Sequence, residues 1–89
     1  MTYRIPRLLA WYIGEGDSGL EVFLMPLPNG DPVVLRGIAA LIWVAATEEP
    51  DPVATIAEAT RQAREEIETH VLAYLDELVV GGLLELAAS

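Results

Sequence analysis

The chain contains no cysteine, so a disulfide framework and a thiolate metal site are both excluded, and nothing argues for an oxidising compartment. It has a single histidine, His70. One imidazole without thiolate or imidazole partners cannot build a tight transition-metal site, so no metal and no cofactor is expected. Basic residues are scarce: five, against fourteen acids, for a net charge of −9. The surplus is uneven. Residues 48–89 carry ten acids against Arg61 and Arg64, whereas residues 1–47 carry four acids against three arginines. A surface of that sign repels phosphate backbones, which makes nucleic acid a poor partner and favours a basic or amphipathic peptide. Long apolar runs are missing as well. No stretch reaches the ~20 residues of a membrane span. Arg4 and Arg7 do precede the apolar run Leu8 to Ile13, but that run is too short for a signal-peptide core, and no small-residue cleavage site follows it. The expected setting is cytoplasmic, with no membrane contact.

What is present is apolar side chain: 53% of 89 residues. That length predicts one domain over residues 1–89, and a domain this small buries only about 60–65% of the surface of its unfolded chain. The few aromatics, Tyr3, Trp11, Tyr12, Phe23, Trp43 and Tyr74, are spread along the sequence. This composition belongs to a folded chain rather than a disordered one.

Strand signals come first. Residues 8–13 are β-prone, and the run Gly14 to Gly19 then breaks the chain. A second strand is expected at 21–27. Asn29-Gly30, flanked by apolar runs, is a hairpin signal, and a short third strand follows at 33–35. Pro32 at its entry lacks an N–H, which suits a strand start or a sheet edge. The pattern then turns helical. Residues 38–46 are apolar all round, as in a buried helix with Gly37 near its start. Asp51-Pro52 is a cap followed by a proline at the first helical position, predicting a helix over 52–60. A third helix is expected over 64–80, with Glu65, Glu66 and Glu68 at its dipole-favoured start and Gly81-Gly82 as its stop. Leu83 to Leu86 reads as a short tail able to pair as a wing strand. The fold class is therefore α+β: a three-stranded antiparallel sheet followed by a three-helix bundle with a winged helix-turn-helix shape.

Two features exceed what a core requires. On the third helix Ile67, Val71, Tyr74 and Leu78 share one face, and Leu72, Leu75 and Val79 widen the stripe to roughly 140°, against about 100° for an ordinary core-facing stripe. The stripe is either a deeply buried helix or a helix with one flank on a groove. His70 sits at its edge, as a boundary residue able to touch a ligand there. The strands pose the same question, because the first two are apolar on both alternating faces while three helices cover one face well. The third strand, short and last, is a candidate edge to which an extended peptide can add.

Several motifs carry less than they promise. Gly16-Asp17-Ser18-Gly19 matches the surroundings of a serine-protease nucleophile and echoes a carrier-protein attachment serine. A triad cannot be assembled from one histidine on so small a scaffold, and a carrier serine should open a helix rather than join two strands. A polar hairpin loop is the simpler reading. The polar face of the third helix carries Glu65, Glu66, Glu68, Asp76 and Glu77, which DNA phosphates would repel. A winged-helix transcriptional regulator is the alternative function, and this charge pattern weighs against it.

The run Val34-Leu35-Arg36-Gly37-Ile38-Ala39-Ala40-Leu41-Ile42-Trp43 resembles the strand-to-helix junction of PqqD-like proteins, the recognition elements of pathways that modify ribosomally made peptides. Val53 to Ala57 resembles their second helix, and Ile67, Val71, Leu75, Leu78 and Gly82-Leu83-Leu84 resemble their closing pattern. The resemblance covers about residues 8–86 and rests on order and spacing rather than on one motif. It implies a non-catalytic adaptor that holds the leader of a precursor peptide as an added strand and presents it to a modifying enzyme, leader peptidase or cyclase. On this chain it places the leader between Val33, Val34 and Leu35 and the helix face of Ile67, Val71, Tyr74, Leu75 and Leu78, with His70 at the border. The chain departs from the family pattern at Arg36, where a capping polar residue is usual, at Ile38, a threonine-like position, and at His70, an acidic one. Its size resembles the free-standing elements of lasso-peptide pathways. A homodimer through the exposed strands is the competing use of the same apolar surface.

Overall fold

The computed structural model describes residues 2–17 and 19–87. The elements run β1 (Tyr3–Arg4), β2 (Leu9–Gly16), β3 (Gly19–Pro26), β4 (Val33–Arg36), α1 (Ile38–Glu48), α2 (Pro52–Thr60), α3 (Arg64–Val80) and β5 (Glu85–Leu86). The class is α+β, with every strand pair antiparallel.

β2, β3 and β4 form one sheet in that order, leaving β2 and β4 at its edges. β2 continues past Ile13, where the glycines were expected to end it. Its pairing with β3 holds from Leu9↔Pro26 to Gly16↔Gly19, so ladder bonds to a partner override the weak strand preference of Gly14 and Gly16. Ser18, the serine of the Gly-Asp-Ser-Gly motif, lies outside the described residues. The β3–β4 connection is not a two-residue hairpin but a six-residue loop at 27–32. Its start is fixed by the Leu27 N–H donating to the Leu8 carbonyl (2.7 Å) and the Gly30 N–H to the Pro26 carbonyl (2.9 Å). A Cβ on Gly30 would come within 2.8 Å of that carbonyl oxygen, so only glycine fits the approach.

The period-2 alternation of the strands divides the sheet into two faces. Val22, Leu24 and Leu35 point to the helices and are buried. Tyr12, Phe23 and Val34 stand opposite one another on the other face and are exposed. The chain leaves β4 through Gly37 at φ +60°, a conformation that costs an L-residue about 1 kcal/mol or more and lets the strand turn straight into α1.

Trp43 on α1 is completely buried, and its indole Nε1–H donates to the Leu83 carbonyl at 2.9 Å, so its one polar atom is satisfied and the segment after α3 is tied to α1. With Leu24, Ile56, Leu75 and Leu84 it forms the centre of the core. Asp51 caps α2 by accepting from the Ala54 N–H, and Pro52 opens the helix. The Arg64 guanidinium bridges Asp51 and Glu68, joining the start of α2 to the first turns of α3.

The tail after α3 does pair as a strand, over Glu85–Leu86, but its partner Tyr3–Arg4 has no sequence signal. Arg4 and Glu85 form an ion pair across this ribbon. The simple order of sheet first and helices after is thus corrected: a second, two-stranded sheet joins the two ends of the chain. Leu83 and Leu84, expected in the wing, are instead buried core residues. No helix among the described residues is long and apolar enough to cross a membrane.

Candidate peptide-binding groove

β4 pairs with β3 on one side only. α3 does not touch β4 directly; α1 packs on both and links them. The free main-chain donors and acceptors of an unpaired edge accept one extended chain as an added strand.

The surface next to this edge is apolar. Ile38 follows β4 directly and is half exposed at 51%. Beside it a concavity of about 360 Å3 is lined by Ile42 of α1, Ile56 and Thr60 of α2, and Ile67, His70 and Val71 of α3. Glu66 and Gln62 stand at its margin. The groove flank of α3 is therefore the one carrying Glu66 and His70, and Tyr74 lies one turn further on the same flank by helical spacing. The opposite flank, with Leu72, borders Tyr3 and Pro52 instead. Tyr74 is half-buried against the core. Burial pushes its hydroxyl above the ordinary tyrosine value, and the Glu77 carboxylate adds to the rise, so the phenol is neutral at physiological pH and available as a donor.

The nine residues expected to hold a peptide thus divide. Ile67, His70 and Val71 line one cavity. Val33 and Leu35 face the helical side while Val34 faces away, so β4 offers a backbone edge plus alternate side chains rather than three side chains on one surface. Leu75 and Leu78 are enclosed in the core, at 0% and 3% exposure. The cavity also takes in Ile38, Ile42, Ile56, Thr60 and Gln62, none of which the sequence marks for binding. The available signal was Ile38 itself, a large aliphatic side chain immediately after a glycine turn from a short edge strand. No group of three or more histidine, aspartate or glutamate side chains among the described residues is placed to hold a metal ion.

The comparisons with known proteins agree with this geometry. No curated protein gives a significant match. A solved structure described as TbiB1 in complex with the TbiA(beta) leader peptide superimposes with a TM-score of 0.68 at 24% identity, covering 97% of this chain and 99% of the other, which establishes a shared fold. The family model of coenzyme PQQ synthesis protein D matches residues 21–84, from β3 through the end of α3 and the Leu83-Leu84 pair. Since that match takes in well over half of the 89 residues, the chain belongs to the PqqD family.

Proposed function

We propose that the protein is a non-catalytic adaptor that binds the leader segment of a ribosomally made precursor peptide and presents it to a modifying enzyme, a leader peptidase or a cyclase. The observation that carries this reading is the unpaired edge of β4, followed at Ile38 by an apolar concavity that Ile67, His70 and Val71 of α3 also line. Main-chain hydrogen bonds to β4 would supply affinity for any extended segment. Ile38, Ile67 and Val71 would select an apolar side chain, with Glu66 at the margin to pair with a basic residue of the leader. The fold shared with TbiB1, a protein solved with a leader peptide, supports the leader-binding reading.

The reading includes a single cytoplasmic domain over residues 1–89, with α2, α3 and the β1–β5 ribbon shaped as a winged helix-turn-helix. The acids on the outer side of α3 would repel phosphate, so a regulator reading gains no support from the charge distribution.

The test is calorimetric titration with the leader of the precursor peptide encoded beside the protein. Strand addition predicts binding that changes little between low and high salt, that is abolished by N-methylating alternate leader amides, and that weakens about tenfold in Tyr74→Ala, the loss expected for truncating one well-packed aromatic contact. Binding that is insensitive to N-methylation would rule out pairing on the edge.

A further inference from the structure

The outer face of the three-stranded sheet is not part of the groove and has no cover. By register and alternation it carries Tyr12 from β2, Phe23 and Met25 from β3 and Val34 from β4, with Leu8 and Leu27 extending the run at one end. All six are exposed, from 37% at Val34 to 67% at Leu8. Tyr12 and Phe23 pack edge to face with ring centres 6.1 Å apart, and a shallow apolar concavity of about 290 Å3 lies over them and Met25. Among the described residues, the charges set into this face by strand register are Glu21 and Arg36 at its far end, and they neutralise one another in an ion pair at 2.9 Å. A contiguous exposed apolar patch of this kind marks an interaction surface.

Charge decides what can cover it. Residues 48–89, which form α2, α3 and the C-terminal strand, carry a net −8, from ten acids and two arginines. Residues 1–47, which form the whole sheet, carry a net −1, from four acids and three arginines. Two copies of so acidic a chain repel one another on any approach through α2 and α3. Through the outer face of the sheet they meet without that cost. Taking roughly 150–200 Å2 for each full side chain, the six residues offer on the order of 500 Å2 of apolar surface per copy. Two copies then bury about 1,000 Å2, which is the lower bound for a specific interface.

We propose that the protein self-associates as a two-fold dimer in which the outer faces of the two sheets pack on one another, with Phe23 and Met25 at the centre. Face-to-face sheets lie about 10 Å apart and bury alternate side chains from both, as in a sandwich. The same patch serves both copies, as two-fold symmetry requires. The β4 edge lies at the rim of this interface and its groove on the opposite side of the sheet, so each copy keeps its own peptide site. An interface of this size is weak, with dissociation in roughly the micromolar range.

Sedimentation velocity on the whole chain, from about 1 µM to about 500 µM, brackets that range. The expected result is a concentration-dependent shift from monomer to dimer that moves at least tenfold to higher concentration in Phe23→Glu, since a charge at the centre of an apolar interface is left desolvated. Met25→Lys, a milder change at a neighbouring exposed site, is expected to do the same, and an unchanged far-ultraviolet spectrum shows that each variant is folded. A wild type that stays monomeric throughout overturns the proposal and leaves the face to a different protein. A dimer that survives both substitutions also overturns it, because the copies then meet elsewhere, for instance along the β2 edge. Leader titration of the same samples is a separate readout: its failure would count against the groove, not against the dimer.

Discussion

The two faces of the sheet are built from the same strands and from equally apolar residues, yet they have opposite fates. Leu24 is 1% exposed and its neighbour Phe23 is 43% exposed. Hydrophobicity alone does not separate them; position relative to the helices does. The inner face meets α1 and is sealed into the core, while the outer face has nothing over it. Apolar residues on both faces of a strand therefore mark a sheet that works on two sides, one closed by its own helices and one left for another molecule.

Substitutions sharpen this contrast, and the inner face should give the largest effect. Leu24→Ala deletes fully buried methyl groups and is expected to cost about 3 kcal/mol, whereas Phe23→Ala should cost less than about 1 kcal/mol in the monomer. Urea denaturation at low protein concentration measures both, and equal losses would dissolve the distinction between the faces. A smaller effect is expected where β4 leaves the sheet for the helical layer. A Cβ on Gly37 meets no atom within 4 Å, so Gly37→Ala carries only backbone strain, about 1–3 kcal/mol for an L-residue at φ 60°, ψ −131°, without a packing defect. The mildest change belongs to neither face. Hydrogen bonds from the Arg64 guanidinium and then from the Ala54 N–H hold the Asp51 carboxyl below its ordinary value of 3.8. A depressed folded value means that its contribution is complete above about pH 4 and is lost as pH falls through the folded value. Asp51→Asn should therefore lower the melting temperature slightly at pH 7 and lose most of that deficit near pH 2, as thermal melts at the two pH values would show.

Much of the helical half was legible because its signals are local. Asp51-Pro52 marks the start of α2 through one cap and one ring, and Gly81-Gly82 marks the end of α3. Of the β1–β5 ribbon only the C-terminal strand was legible, as a tail able to pair. Two-residue strands carry no period, and Tyr3–Arg4 finds its partner more than eighty residues away. The groove was legible in part. Spacing put Ile67, Val71, Leu75 and Leu78 on one stripe, but a stripe does not say which of its residues the core consumes. Packing against α1 and α2 encloses Leu75 and Leu78 and turns the flank of Glu66 and His70 outward. Ile38 escaped notice because its role comes from where Gly37 sends the chain, a backbone feature rather than a side-chain pattern.

The central claim is that a leader strand adds to β4 and lies against α3. Amide chemical-shift mapping of labelled protein during titration with the leader tests it most directly. The account predicts shifts concentrated at Val33, Val34 and Leu35, at Ile38 and along Ile67, His70, Val71 and Tyr74, with the amides of β2 little changed. Saturable binding whose shifts fall on β2 and the outer face instead, leaving β4 and α3 unperturbed, would contradict it.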